Sequence, residues 1–414
     1  MKSLSIAGLA GLAALGAQAQ VPDLSSTDPI VVTAARLRQP ATTLRDATVI
    51  TRADIEAAGA LSLGELLERR AGVELRANGG PGQPQTLFIR GAGSAQTLVL
   101  VDGLRVGSAT IGTTSIENIP LEMIERIEVV KGPLSSLYGS DAIGGVVQIF
   151  TRGKDVPHLF GTAAYGTDRD ERVAAGIATA DEKNKLALNI GARRVDAPSA
   201  TNSKSFCFDP DRDPYENAFV NLHGSHQLWQ GEVLALDAFA TYGKTHFDGT
   251  CDPTVHFDDI NRQTISGVKL SSSTHFADFW ASRLVLGDGR DRITTSGAFP
   301  GLFQTEQLQG TWINEFKTPV GSLLAGYERT RQRIRTDESQ GVFARTTRDT
   351  NSVFAGVNET RAGQHLEASV RRDDDDSFGK NTTGSASYGL DWPPFARLSA
   401  TYGKGFRAPT FFDL

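Results

Sequence analysis

A chain of 414 residues is long enough to form more than one domain. Its 42 basic and 48 acidic residues leave a net charge of -6, and the basic residues are scattered, which argues against a nucleic-acid partner. With 43 glycines but only two methionines and two cysteines, the composition is that of strands and turns and not of a helix-rich protein.

Residues 1–19 read as a signal peptide. Lys2 supplies the positive start, residues 4–15 are apolar and small, and Ala17-Gln18-Ala19 fits a small-x-small cleavage site. The mature chain is expected to begin at Gln20. No later run of about 18 apolar residues is present, so no membrane-spanning helix is expected. An exported chain of this kind is either soluble or spans a membrane as a closed barrel, because only helices and closed barrels satisfy their backbone inside lipid. Export also permits a disulfide between Cys207 and Cys251.

Residues 28–152 have the pattern of a mixed α/β domain. Strands are expected at 30–33, 48–51, 86–89, 97–101, 127–130 and 145–151, each a β-branched run bounded by Gly, Pro or Asp. Helical spacing covers 53–58 and 63–70, with Ser62 as N-cap of the second. Asp102-Gly103 and Gly132-Pro133 are turn signals.

From about residue 155 the pattern becomes alternation. Leu186, Leu188, Ile190 and Ala192 share one face of a strand, and Leu234, Leu236, Ala238, Ala240 and Tyr242 share another. Similar segments recur to residue 405. Two- to four-residue turns alternate with long polar stretches such as 197–217 and 247–261, which is the pattern of a transmembrane barrel with short turns on one side and long loops on the other. At about 20 residues per strand and loop, 155–414 holds roughly a dozen strands. That is small for a barrel enclosing a plug, and the expectation is a chain truncated at its C-terminus.

Several motifs then occur in order: Phe88-Ile89-Arg90-Gly91, Leu100-Val101-Asp102-Gly103, Ile127-Glu128-Val129-Val130-Lys131-Gly132-Pro133, and Leu137-Tyr138-Gly139-Ser140-Asp141-Ala142-Ile143-Gly144-Gly145-Val146-Val147, with Gly403 to Pro409 near the end. Together they resemble the TonB-dependent receptors of the outer membrane of Gram-negative bacteria. The resemblance covers the chain from Asp28 onward. It implies a mixed α/β plug domain inside a transmembrane antiparallel β-barrel of 22 strands, divided here as signal peptide 1–19, N-terminal segment 20–35, plug 36–152 and partial barrel 155–414. It implies a monomeric importer without catalytic residues. Asp28-Pro29-Ile30-Val31-Val32-Thr33-Ala34 looks like the family's Ton box, a segment that adds as a strand to the TonB protein; an ordinary edge strand would look the same.

Within the family the cobalamin receptors are the most similar branch. Asn78-Gly79-Gly80-Pro81-Gly82-Gln83 and the uninterrupted 138–147 look like their plug, although the Phe406-Arg407 form of the barrel motif departs from theirs. The resemblance places apical plug loops at 78–86 and 106–115. These loops carry no charged or aromatic residue, and offer Asn78, Gln83, Gln85, Ser108, Thr110, Thr113, Thr114 and Ser115. That suits a large, nearly neutral, amide-rimmed corrinoid better than an anionic ferric siderophore. Haem fits less well, because residues 20–157 contain no histidine.

Asp209, Asp211, Asp213 and Asp248 match calcium-binding aspartates of the cobalamin receptors' outer loops, and clustered carboxylates suit Ca2+. A solvated acidic loop is the plain alternative. A bond between Cys207 and Cys251 would tie these two loops together. The acidic run Asp373 to Asp376 reads as a solvated loop. A hydrolase is disfavoured by the absence of Gly-x-Ser-x-Gly and His-Glu-x-x-His. A signal transducer is disfavoured by the short stretch before residue 28.

Overall fold

The computed structural model describes residues 44–153, 158–249, 258–337, 343–392 and 396–414. The expected leader, the segment Asp28 to Ala34 and Cys251 lie outside these residues.

The first unit is a small α/β domain. Its five-stranded sheet has the order β1-β6-β7-β4-β5, from β1 (Ala47–Ile50), β4 (Thr97–Val101), β5 (Leu104–Arg105), β6 (Ile124–Lys131) and β7 (Gly145–Thr151). A second ribbon pairs β2 (Glu74–Ala77) with β3 (Gln85–Phe88). Helix α1 (Arg52–Ala58) starts at a capping box in which Thr51 and Asp54 satisfy each other's backbone N–H, and Gly59 ends it in the left-handed region at φ 58°. Helix α2 (Leu63–Ala71) is capped by Ser62, whose hydroxyl accepts from the Glu65 N–H at 3.2 Å. It buries Leu66 and Leu67 against Val99, Val101, Ile127, Val129 and Ile149. The predicted Asp102-Gly103 turn joins β4 to β5, with both residues at positive φ (51° and 87°).

The second unit is one antiparallel sheet of thirteen strands in chain order, from β8 (His158–Tyr165) through β9 (Glu171–Ala180), β10 (Asn184–Pro198), β11 (Arg212–Trp229), β12 (Glu232–Phe247), β13 (Asp259–Ala277), β14 (Trp280–Ser296), β15 (Gly301–Thr318), β16 (Gly321–Thr336), β17 (Thr347–Arg361), β18 (Gln364–Asp375) and β19 (Gly379–Trp392) to β20 (Ala396–Lys404). Turns at one end are two or three residues, such as 230–231 and 319–320; the opposite end carries 199–211, 248–258 and 337–346. Strands of 15–19 residues from β10 to β17 exceed the roughly 9–11 that cross a bilayer. The sheet therefore has length to spare beyond the lipid.

Alternation holds along these strands. On β12, Leu236 and Tyr242 point outward and are exposed, whereas Asp237 and Thr241 are buried under the first unit. An apolar outside and a polar inside is the reverse of a soluble core, and it is what lipid on one side and a wet lumen on the other require. The plug fills that lumen.

Two expectations are corrected. The run Asp373 to Asp376 is not a solvated loop: Asp373 and Asp375 lie on β18 facing inward, each 4% exposed. Period two carries alternate acids of a charged run into the lumen, where Arg371 Nε donates to Asp373 at 2.7 Å. The strand expected at 127–130 is also longer, because β6 starts at Ile124.

Glycines in the barrel wall make room for the plug. A Cβ on Gly243 of β12 would come within 1.9 Å of the Asn118 side-chain oxygen. Asn118 Nδ2 donates to Gln263 at 2.6 Å and Asn217 Nδ2 donates to the Asn118 carbonyl at 3.2 Å. Gly243→Val is expected to displace Asn118, cost about 1–3 kcal/mol locally, and raise hydrogen exchange at 116–119 while leaving the barrel ladder protected.

Candidate functional site

The plug is held by polar side chains that the barrel strands point inward. Asn189 and Asn221 both donate to the Arg152 carbonyl at 3.1 Å. Lys269 Nζ donates to the Asp102 carbonyl at 2.6 Å, Gln307 Nε2 to the Gly107 carbonyl at 2.8 Å, and Ala109 N–H to Thr305 Oγ1 at 3.1 Å. The hydroxyls of Ser136, Ser369 and Ser385 form a buried triangle with sides of 2.7–3.0 Å. Most of these are neutral hydrogen bonds, each of modest net strength.

One charged contact is different. At the short-turn end, where the described plug begins, Arg45 pairs with Glu367 of β18 at 3.3 Å, both side chains being almost fully buried. Glu367 also accepts from the Leu44 N–H at 3.2 Å, and Arg45 Nη2 donates to Ser385 at 2.9 Å. Burial lowers the pKa of Arg45 from its ordinary value, and the neighbouring Glu367 opposes that shift. Glu367 thus ties Leu44 and Arg45 to the barrel wall.

The apical loops lie at the opposite, long-loop end. Gln83 is 6% exposed and its amide donates to the His246 carbonyl at 2.8 Å; Thr245 Oγ1 donates to the Gly82 carbonyl at 3.1 Å. Gln83 therefore anchors the loop to β12. Gln85 turns back toward α2, its amide donating to Ser62 Oγ at 3.4 Å. Ser108 is buried, accepting from the Ile111 N–H at 3.4 Å, and Thr110 is 0% exposed. Asn78 is exposed, and Thr113, Thr114 and Ser115 are half-buried. Of the eight predicted contact residues, these four remain within reach of a bound molecule. Ile111, half exposed at the tip of the second loop, was not singled out from sequence, because a lone apolar residue in a polar loop carries no periodicity. Glu117, beneath this loop, has its pKa pushed up to about 8 by burial, against a hydrogen bond from the Gln85 N–H.

Three arginines near the apex are engaged by neighbouring groups. Arg105 meets Asp141 at 3.4 Å, Arg407 meets Asp413 at 3.4 Å, and Arg348 Nη1 donates to the Pro409 carbonyl at 2.6 Å.

Beside the first apical loop, Asp211, Asp213 and Asp248 bring one carboxylate oxygen each to within 4.8 Å of one another. Asp213 opens β11 opposite Ala197, and its carboxylate accepts from the Ala200 N–H at 2.7 Å. Asp248 directly follows β12; it accepts from Ser199 Oγ at 2.8 Å and from the Asp209 N–H at 3.4 Å. Burial first, then the charges of Asp209 and Asp248, raises the pKa of Asp211. Burial, together with the charges of Asp248 and Asp211, raises the pKa of Asp213 as well, and a cation among the three oxygens would relieve this crowding. Asp209 joins through its backbone and is not one of the three carboxylates. Cys207, four residues before Asp211, is disulfide-bonded; Cys251 is the chain's other cysteine.

Known proteins share this architecture. The TonB-dependent Receptor Plug Domain matches residues 39–146, and the TonB dependent receptor-like β-barrel matches residues 155–414. The chain belongs to the TonB-dependent receptor family. The vitamin B12 transporter BtuB of Vibrio vulnificus (strain YJ016) is 30% identical over all of this chain and 68% of its own length. BtuB of Photobacterium profundum is also 30% identical, over all of this chain and 67% of its own. Among solved structures, the siderophore receptor PirA from Acinetobacter baumannii superposes with a TM-score of 0.73 at 19% identity, covering 88% of this chain and 61% of that one. PirA from Pseudomonas aeruginosa gives 0.67 at 21%, covering 88% and 62%. At these identities the solved structures speak for the fold alone. The TonB-dependent receptor described here spans about two thirds of the length of these relatives. It is an outer-membrane protein of a family of receptors and transporters, not enzymes.

Removing the anchoring carboxylate should loosen the plug segment around Leu44 and Arg45. Glu367→Gln removes the carboxylate that Arg45 is paired with, a loss of about 3–5 kcal/mol. Amide exchange over 44–50 is expected to speed up strongly while β7 stays protected, and Arg45→Met with Glu367→Met together should restore most of the protection.

Proposed function

We propose that this receptor imports a corrinoid, of the cobalamin class, across the outer membrane. The observation that carries this reading is the character of the apical surface. Asn78, Thr113, Thr114, Ser115 and the exposed Ile111 offer amide, hydroxyl and apolar contacts, while the arginines nearby are already engaged by Asp141, Asp413 and the Pro409 carbonyl. A large, nearly neutral ligand edged with amides fits such a surface. A multiply charged anion needs charge-assisted partners, and among the described residues of these two loops there is no charged side chain. The two BtuB relatives, aligned over the whole chain, support the same reading.

In this reading Asp211, Asp213 and Asp248 hold Ca2+. A bound cation would join the loop before β11 to the residue after β12, and so stiffen the rim against which the Gln83 loop packs. Ca2+ takes six to eight oxygens; nearby carbonyls and water would complete the set. The segment Asp28 to Ala34 is the attachment point for the TonB protein, which supplies the pull that rearranges the plug.

Titrating the full-length receptor in outer membranes with labelled cyanocobalamin, with and without a calcium chelator, tests both parts. Saturable binding that weakens on chelation, and a comparable weakening in Asp211→Asn/Asp248→Asn regardless of calcium, is the expected outcome. Binding indifferent to calcium would remove the metal and keep the ligand. An absence of binding would remove the corrinoid and favour a ferric siderophore or haem. Deletion of residues 30–34 is expected to abolish uptake with binding unchanged; uptake that survives would refute the attachment point.

A further inference from the structure

The outward face of β16 changes character partway along the strand. Leu323, Ala325 and Tyr327 continue the apolar band, and the next four outward positions, toward the long-loop end, are Arg329, Arg331, Arg333 and Arg335, all exposed. Two strands away, β14 changes in the same way. Leu284 and Leu286 are followed outward by Asp288, Arg290 and Arg292. Between them β15 presents Gln304 and Glu306, paired in register with Arg292 and Arg290 on one side and with Arg335 and Arg333 on the other. The outer surface of three adjacent strands therefore carries six arginines, against Asp288 and Glu306 on those strands and Asp349 on neighbouring β17, in a chain whose net charge is negative.

The acids neutralise only part of this surface. Asp349 takes both Arg331 (2.8 Å) and Arg329 (3.6 Å), and Asp288 takes Arg290 (2.7 Å). Glu306 accepts from Gln304 at 2.9 Å. Among the described residues, Arg292, Arg333 and Arg335 have no carboxylate partner. Successive outward side chains on a strand are about 7 Å apart, so the row repels itself unless an external anion lies against it. Nothing in the plug or lumen needs these charges, because they point away from both. A soluble anion would have no use for a position directly above a lipid-facing apolar band. A lipid headgroup belongs there.

We propose that Arg292, Arg333 and Arg335, supported by Arg331 and Arg290, form a binding site for the phosphates of an outer-leaflet glycolipid of the lipid A type, whose acyl chains lie on the apolar band below. Guanidinium forks match phosphate bidentately, and a ring of fixed cations at the headgroup level gains from every phosphate it meets. The site is independent of the corrinoid reading, which concerns the opposite face of the wall.

The test is binding of bis-phosphorylated lipid A to the purified full-length receptor in neutral detergent, followed by native mass spectrometry. Arg331→Gln/Arg333→Gln/Arg335→Gln is expected to bind roughly 100-fold more weakly, at about fivefold per charge. The corresponding triple lysine variant, which keeps the charge, should fall between that and the parent. Lys183→Gln/Arg361→Gln, at the short-turn end, should bind as the parent does. An unchanged heat-dependent shift in electrophoretic mobility of the glutamine variant, the mark of an intact barrel, verifies its fold. Equal lipid A binding by parent and glutamine variant would overturn the proposal. So would equal binding of lipid A stripped of its phosphates, or equally effective competition by phosphatidylglycerol or inorganic phosphate.

Discussion

The inward face of the barrel strands is polar because it must hold a folded domain without holding it irreversibly. Asn189, Asn217, Asn221, Gln263, Lys269, Thr305 and Gln307 each meet a carbonyl, an N–H or an amide of the plug. Hydrogen bonds of this kind exchange readily with water, so a plug that shifts loses little for each one broken. The plug's own apolar core, by contrast, is packed around Leu66, Leu67, Ile127 and Val129. Cohesion within the plug is hydrophobic, whereas attachment to the wall combines these hydrogen bonds with an apolar seam in which Phe219, Phe239 and Ile265 of β11, β12 and β13 join the plug core.

Against that background the Arg45–Glu367 pair stands apart. It is buried and ionic, and it sits where the described plug begins, on the side of the short turns. A buried ion pair is weak evidence for net stability but strongly resists losing a single partner.

Much of this was legible in the sequence. Alternation announced the barrel because lipid and lumen enforce it on every strand, and the cap at Ser62 marks its helix by local chemistry alone. Among the elements not anticipated, β2, β5 and helix α3 (Ser135–Tyr138) are two to four residues long, below the length at which any period can register, and the first residues of β11, from Arg212, were read as part of the polar stretch 197–217. Asp211, Asp213 and Asp248 were suggested by resemblance, and the structure brings their carboxylates together. The fates of Gln83 and Thr110 were not legible, since a polar loop residue reads alike whether it faces solvent or the barrel wall. Asp373 was misread because a run of like charges suggests solvent, whereas strand geometry sends alternate members inward to Arg371. The arginine row on β16 is visible as R-T-R-Q-R-I-R, but only the register with β14 and β15 shows that it forms a surface.

The wall glycines have one further consequence. Gly267 and Gly289 lie directly opposite each other on β13 and β14, with Gly287 nearby, and all three abut the β5 hairpin through Leu104 or Arg105. With that hairpin in place, the indentation is filled. Once it is withdrawn, Gly287 and Gly289 present bare backbone, with the Phe239 ring still lying beside Gly267. A bulky cargo passing the plug would find a ready-made recess in this sector of the lumen.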